Sequence, residues 1–193
     1  MNFLDLLAFL TILVWPVVPL FWIPVHGLSR FFKRIGLLTY LMPPLVWIPI
    51  AYIVFKYKEE LLGFRYELPQ IINLFGIFLV IVGTLLHLWT GKLLGLWGLM
   101  GIPEVSKRLE SRLVTEGPFR IVRHPTYLAH TILFLGIYMI TEVLTIAILT
   151  IIDLTIVVLI IIPLEERELT ERFGREYKEY IKRVRYRFFP GLW

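Results

Sequence analysis

The chain has 193 residues, of which 58% are hydrophobic, and its mean hydropathy is +0.75. Soluble globular domains contain about 45–50% apolar residues, so this composition excludes an ordinary soluble protein. A formal net charge of +5 is compatible with nucleic-acid binding, but the distribution of the basic residues argues for a membrane protein with no nucleic-acid partner.

Five apolar runs predict transmembrane helices. They cover residues 3–25, 35–55, 71–89, 126–140 and 143–164. A bilayer core of about 30 Å needs roughly 20 apolar residues in a helix. Backbone groups in lipid must be satisfied within the segment, which favours helices over open strands. The sequence therefore predicts an all-α integral membrane bundle of about five transmembrane helices.

The basic residues predict the orientation of these spans. All Lys and Arg residues except Lys56, Lys58 and Arg65 fall in segments that alternating spans place on one side of the membrane. Cytoplasmic segments are enriched in Lys and Arg. We therefore expect a multi-pass protein with its N-terminus outside and its C-terminus in the cytoplasm.

Two segments next to these runs are predicted to lie at the membrane surface. Glycines at positions 91, 95, 98 and 101 indicate a short interfacial or re-entrant piece after the third run. Residues 164–184 have the periodicity of an amphipathic helix on the cytoplasmic side, which lies on the membrane or packs over the end of the bundle. Glu165 falls on the apolar stripe of this helix, where a carboxylate needs a partner.

Ionisable and aromatic residues gather just before the fourth run. Arg123 and His124 precede Pro125, which suits the first position of a helix. The start of a helix favours anions. Because the fourth and fifth runs form a hairpin, Glu165 and Glu166 return to the same side. We expect a site here for a small molecule that carries both charges.

The motifs resemble one known family. They read Leu113-Val114-Thr115-x-Gly117-Pro118-Phe119, then Arg123-His124-Pro125-x-Tyr127, and, after the hairpin, Glu165-Glu166, Phe173-Gly174 and Tyr177. Over residues 104–190 this pattern resembles the isoprenylcysteine carboxyl methyltransferase family and its phospholipid methyltransferase relatives. The resemblance implies a membrane enzyme that binds S-adenosylmethionine and methylates a lipid-like acceptor. The family's default acceptor is the carboxylate of a prenylated cysteine, and a phospholipid amine is the alternative.

The resemblance and the residue types together indicate site residues. Cofactor-binding residues are predicted at Leu113, Val114, Gly117, Phe119, His124, Pro125, Tyr127, Glu165, Phe173 and Tyr177. Arg123, His124 and Glu166 are the predicted catalytic residues. His130 and Asp153 are assigned to the substrate, and His130 or Glu166 would act as base if the acceptor is neutral. Ile161 stands where eukaryotic carboxyl methyltransferases carry a substrate-associated Arg, so the resemblance implies the cofactor more directly than the acceptor.

These assignments divide a single membrane domain into two parts. Residues 1–89 are expected to supply three transmembrane helices that border a lateral substrate groove, and residues 90–193 the cofactor-binding half. The four histidines lack metal-site spacing, and no cysteine is present, so we expect no metal. Two other functions remain open, namely an NADPH-dependent reductase of the sterol-reductase type and a non-enzymatic transporter or scaffold.

Overall fold

The computed structural model describes residues 1–106 and 112–191, and the described chain is almost entirely helical. Residues 107–111 and 192–193, which belong to the predicted cofactor-binding half, lie outside the described residues. The α-helices are α1 (Phe3–Val14), α2 (Val17–Gly27), α3 (Ser29–Ile35), α4 (Met42–Lys56), α5 (Lys58–Gly63), α6 (Gln70–Leu99), α7 (Ile102–Val105), α8 (Pro125–Thr141), α9 (Leu144–Ile156), α10 (Ile162–Phe173) and α11 (Arg175–Arg183).

The predicted all-α membrane bundle is confirmed. Four helical stretches are long and apolar enough to cross a membrane, namely Phe3–Gly27, Ser29–Lys56, Gln70–Val105 and Leu144–Phe173. The fifth, α8, is a shorter apolar helix of 17 residues. At 1.5 Å per residue it is about 26 Å long, slightly less than a bilayer core. The chain is therefore a multi-pass membrane protein.

Glycines allow α6 and α8 to pack closely against each other. A Cβ atom at Gly136 of α8 would lie 2.8 Å from the backbone oxygen of Gly76 in α6. A Cβ atom at Gly83 of α6 would lie 2.9 Å from the backbone nitrogen of Leu133. Because no side chain fits at these positions, the two backbones can meet, as small residues allow in membrane helices.

Polar contacts between the connecting segments show which of these segments lie at the same end of the bundle. At one end, which we call the basic end, Lys33 lies 3.1 Å from Glu168. At the other end Arg65 pairs with Asp5, and the Asn73 side-chain amide donates to Glu142 at 3.0 Å. The segments that the charge distribution assigns to one side therefore meet at one end of the structure.

Two predicted segments have helix boundaries in the structure that the sequence did not predict. The interfacial piece expected after residue 89 is continuous with α6, which is interrupted at Gly95 (φ 70°, ψ 169°) and folds Leu99 back onto Gly91. The tail helix expected over residues 164–184 is two helices, because Gly174 has a φ of 56° between α10 and α11. Glycine adopts this conformation at little cost, so both breaks fall where the backbone can bend.

The tail packs over the basic end of the bundle. Tyr177, Tyr180 and Val184 are buried, and Leu113 packs against them. The Tyr180 hydroxyl donates a hydrogen bond to the backbone oxygen of Phe119 at 2.7 Å. Of the two positions left open for the amphipathic tail, the structure therefore shows the one against the bundle.

Candidate functional site

The segment before α8 forms a sharp elbow that the tail holds in place. Pro125 is the first residue of α8, as predicted, and His124 precedes it with a φ of −121° and a ψ of 58°. The backbone N–H of Arg123 donates to the oxygen of Tyr186, and that of His124 to the oxygen of Arg187, both at 2.9 Å. The elbow is thus paired with the residues that follow α11.

A buried ion pair joins this elbow to α10. The Arg123 Nε donates to Glu166 Oε1 at 2.7 Å, and the Arg187 Nε lies 3.0 Å from Glu166 Oε2. The Arg123 Nη1 donates to the backbone oxygens of Val184 and Arg185. Both oxygens of Glu166 are therefore engaged by arginines, which favours a positioning role over the predicted role as a base.

His124 lies between the two glutamates of α10. Its Nδ1 is 3.4 Å from Glu165 Oε2, and its Nε2 is 3.4 Å from Glu166 Oε1. Burial disfavours the charged imidazole, but the carboxylates of Glu165 and Glu166 outweigh burial and raise the pKa of His124 above its usual value. The two acidic groups thus favour the charged form of His124.

A cavity of about 500 Å³ opens beside this cluster at the basic end. Ten predicted site residues line it, namely Leu113, Val114, Phe119, Arg123, His124, Tyr127, His130, Glu165, Phe173 and Tyr177. Hence the structure gathers both halves of the motif around one space.

Four predicted site residues do not line this cavity. Gly117 has a φ of 56° and packs against Trp89, where a Cβ atom would lie 3.0 Å from the Trp89 Nε1, so its role is to shape the elbow. Pro125 starts α8, and Glu166 faces the arginines. Asp153 lies deeper in the bundle, where it accepts a hydrogen bond from Trp15.

The cavity also contains charged residues that the sequence analysis missed. Arg172 and Glu104 line it, and the Arg172 Nη2 lies 3.0 Å from Glu104 Oε1 and 3.2 Å from Glu168 Oε2. Arg172 follows Glu165 by seven residues, which is about two helical turns and places both on one face of α10. That spacing was the available signal in the sequence.

Several buried polar atoms of the cavity residues have no hydrogen-bond partner within the described protein. They include Glu104 Oε2, the Arg172 Nε and Nη1, and the Tyr177 hydroxyl. Glu165 Oε2 also lacks a hydrogen bond, although the His124 Nδ1 faces it at 3.4 Å. Burial, followed by the charges of Glu166 and Glu165, raises the pKa of Tyr177, so this hydroxyl stays protonated. Buried polar groups are normally satisfied, and a ligand with both charges and hydrogen-bonding groups would supply the missing partners.

The residue types fit an organic ligand. Within residues 1–106 and 112–191, no group of three or more His, Asp or Glu side chains is arranged to hold a metal ion. Tyr127, Phe173 and Tyr177 add aromatic surface to the charged groups. Aromatic faces can bind a flat ring or a cation. S-adenosylmethionine combines these features, so the donor set fits it.

Comparisons with known proteins match part of this chain. A model of the phospholipid methyltransferase family matches residues 71–176. Protein-S-isoprenylcysteine O-methyltransferase B of Arabidopsis thaliana is 29% identical over 113 residues, which cover 58% of this chain and 57% of that protein. Cobalt-zinc-cadmium resistance protein CzcN of Cupriavidus metallidurans is 30% identical over 115 residues, which cover 54% of this chain and 52% of that protein. The chain spans about half the length of the curated relatives it matches.

Proposed function

The chain belongs to the phospholipid methyltransferase family, and we propose that it transfers a methyl group from S-adenosylmethionine to a lipid-like acceptor at the cytoplasmic edge of the membrane. One observation carries this proposal. The cavity, which is lined mostly by residues of the matched region, presents buried polar atoms of both charges, namely the Glu165 carboxylate beside His124 and the unpartnered Nε and Nη1 of Arg172, next to aromatic side chains. A zwitterionic nucleoside would satisfy these groups together.

Each part of the cavity has a proposed contact with the cofactor. Arg172 and the cationic elbow would hold its carboxylate. Glu165 would accept hydrogen bonds from its hydroxyls or face its positive centre. Tyr127, Phe173 and Tyr177 would hold its ring. When bound, the cofactor supplies a methyl group on a positively charged sulfur, so an attacking nucleophile needs no further activation of the methyl carbon.

The protein's own contribution is position and exclusion of water. The buried Arg123–Glu166 pair fixes the elbow, and the His124 cation holds Glu165 towards the cavity. Holding two reactants in line removes much of the entropic barrier to their reaction. A cavity enclosed by the tail would keep water from competing with the acceptor.

The acceptor would enter from the lipid. Apolar residues from α2 and the end of α6 line the cavity, among them Val18, Trp22, Leu93 and Leu99. An amphiphile with an apolar chain matches this lining. There are two candidate acceptors. One is the carboxylate of a prenylated cysteine, since the Arabidopsis relative is named an isoprenylcysteine O-methyltransferase, and the other is the amine of a phospholipid, since the family is named for phospholipid methyltransferases.

Isothermal titration calorimetry of the purified protein tests the cofactor. We expect S-adenosylhomocysteine to bind saturably and NADPH not to bind. Glu165→Ala should weaken S-adenosylhomocysteine binding by about tenfold or more, because one charge-assisted contact is worth about 1.5–3 kcal/mol. Glu176→Ala, which changes an exposed carboxylate of the same tail, is the matched control and should leave the affinity unchanged. Binding of NADPH alone would indicate a reductase, and binding of neither would favour a transporter or scaffold.

A further inference from the structure

Three polar side chains, those of Trp15, Asp153 and His130, form a row in the apolar interior of the bundle at the far side of the cavity. The Trp15 Nε1 donates to Asp153 Oδ1 at 2.9 Å. The other carboxylate oxygen, Asp153 Oδ2, lies 3.6 Å from the His130 Nε2, which is within ion-pairing distance but too long for a hydrogen bond, and this buried Nε2 has no other partner among the described residues. Asp153 is 1% exposed. An ionisable group at this depth is costly and marks a functional site by default.

His130 connects this row of polar side chains to the cavity. It lines the cavity, whereas Asp153 and Trp15 do not. His130 follows His124 by six residues on α8, so it lies about 9 Å further into the membrane. Because its Nε2 is beside Asp153, its Nδ1 is the ring nitrogen left for a ligand. His130 is thus placed below the cofactor cluster, on the side from which a lipid-like acceptor would arrive.

The charged groups near His130 are few. Asp153 faces it from α9, and His87 of α6 lies with its ring centroid 6.1 Å from that of His130. Trp15, in the turn between α1 and α2, does not titrate. The arginines that line the cavity among the described residues are Arg112, Arg123 and Arg172, and each is paired with a glutamate. Arg172 and the elbow are already assigned to the carboxylate of the cofactor, and Arg112 pairs with Glu116. Among the described arginines of the cavity, none is therefore left beside His130 to receive an anionic acceptor.

We propose that His130 accepts the proton that the acceptor loses on methylation, and that Asp153, held by Trp15, positions the imidazole and stabilises its charge. This rests on the proposed function and specifies its acceptor: a nucleophile that carries a proton, such as the amine of an amphiphile, rather than an ionised carboxylate. A base held by a carboxylate is a recurring arrangement for activating such a nucleophile.

The proposed step balances in atoms and charge. The lone pair of the acceptor nitrogen forms the new bond to the methyl carbon. The carbon–sulfur bond breaks, and its electron pair stays on the sulfur, which becomes neutral. The proton of the acceptor moves to the His130 Nδ1. The imidazolium that results is paired with Asp153 until the proton leaves through solvent.

Nuclear magnetic resonance of ¹⁵N-histidine-labelled protein in lipid nanodiscs tests the pairing without any turnover. His130→Gln identifies the His130 resonances. We expect His130 to titrate in the wild type, and Asp153→Asn to move its midpoint to lower pH by about one unit or more, because an adjacent anion stabilises the charged ring. Thr131→Val, a change at the adjacent buried residue that does not line the cavity, should leave the midpoint unchanged. A midpoint that Asp153→Asn does not move overturns the proposal.

Methyl transfer tests the acceptor. Initial rates are measured with radiolabelled S-adenosylmethionine and either phosphatidylethanolamine vesicles or N-acetyl-S-farnesylcysteine, across a range of pH. We expect the amine to be methylated, with a rate that falls on the acidic side, and His130→Gln to lower the rate by about 10²–10⁴-fold. Thr131→Val should keep the wild-type rate and pH profile.

The two proposals fail in different ways. If S-adenosylhomocysteine does not bind the wild type, the proposed function fails, while the titration of His130 still tests the pairing. If S-adenosylhomocysteine binds but only the carboxylate is methylated, or the amine is methylated equally well by His130→Gln, the assignment of His130 as proton acceptor is wrong.

Discussion

Glu165 and Glu166 are adjacent in the chain, but the structure gives them different surroundings. Successive residues of a helix point about 100° apart, so Glu165 reaches the cavity while Glu166 turns to Arg123 and Arg187. The sequence predicted that both carboxylates would return beside the elbow. It assigned Glu165 to the cofactor and Glu166 to catalysis, but it did not indicate the positioning role of Glu166, because the arginine that engages its second oxygen comes from the end of the tail.

The two glutamates should therefore differ in their effect on stability. Removing one charge of a buried pair leaves the other uncompensated and costs about 3–5 kcal/mol. Glu166→Gln should lower the thermal unfolding midpoint in detergent markedly, because it strands Arg123. Glu165→Gln, at a side chain that is 22% exposed, should lower it much less. Equal losses in the two variants would contradict this division of roles.

His124 predicts a pH dependence with a definite sign. Its pKa is raised in the folded protein, since Glu165 and Glu166 outweigh the effect of burial. The stabilisation from its charge is therefore complete below the unfolded value of about 6.5 and is lost as the pH rises through the folded pKa. The difference in unfolding midpoint between wild type and His124→Asn should shrink from pH 6 towards alkaline pH. A difference that stays constant would show that the charge is not involved.

At the scale of elements, the site depends on where helices break and how closely they pack. A π-helical turn, Val157–Ile161, joins α9 to α10 just before Glu165, and Val157 and Ile161 are fully buried. Such turns often occur near functional sites. The apolar run predicted a helix through this region but gave no sign of the extra residue in the turn. Gly174 was a visible signal for the end of α10, because glycine tolerates a positive φ, but the predicted tail helix ran through it.

The close packing of α6 and α8 can be tested at its glycines. Gly136→Ala would place a Cβ atom 2.8 Å from backbone atoms of α6, and overpacking of this kind costs about 1–3 kcal/mol. Because the same two helices carry His87 and His130, the variant should lose thermal stability and activity together. Gly63→Ala, where nothing lies within 4 Å of the new atom, is the control and should retain wild-type stability. Similar losses of stability in both variants would mean that the close contact between α6 and α8 does not determine the stability.

For the whole molecule, the ion pairs at its two ends agree with the alternation of spans read from the charges. Lys33 reaches Glu168 at the basic end, and Arg65 reaches Asp5 at the other. The number of apolar helices and the sides of their connections could therefore be predicted from hydropathy and charge. The Arg172–Glu104 contact could not, because it joins residues 68 positions apart through a turn of α6 that only the three-dimensional path reveals.

Cysteine labelling tests the predicted orientation, and the chain is suited to it because it contains no native cysteine. Glu67→Cys and Lys178→Cys each introduce one thiol at an exposed position at opposite ends of the bundle. With the basic end in the cytoplasm, a membrane-impermeant maleimide should label only Glu67→Cys in intact cells and both variants after permeabilisation. The reverse pattern would place the cavity outside the cell.

The pairing of the elbow with the tail has a consequence for biosynthesis. The Arg123 guanidinium donates to the backbone oxygens of Val184 and Arg185, more than 60 residues later in the chain. While the ribosome is still adding that stretch, every apolar helix can already be inserted, yet the elbow lacks its acceptors. The nascent chain therefore acquires its membrane topology before it acquires a formed cavity, and a transcript truncated ahead of residue 184 would yield an inserted protein without a working site.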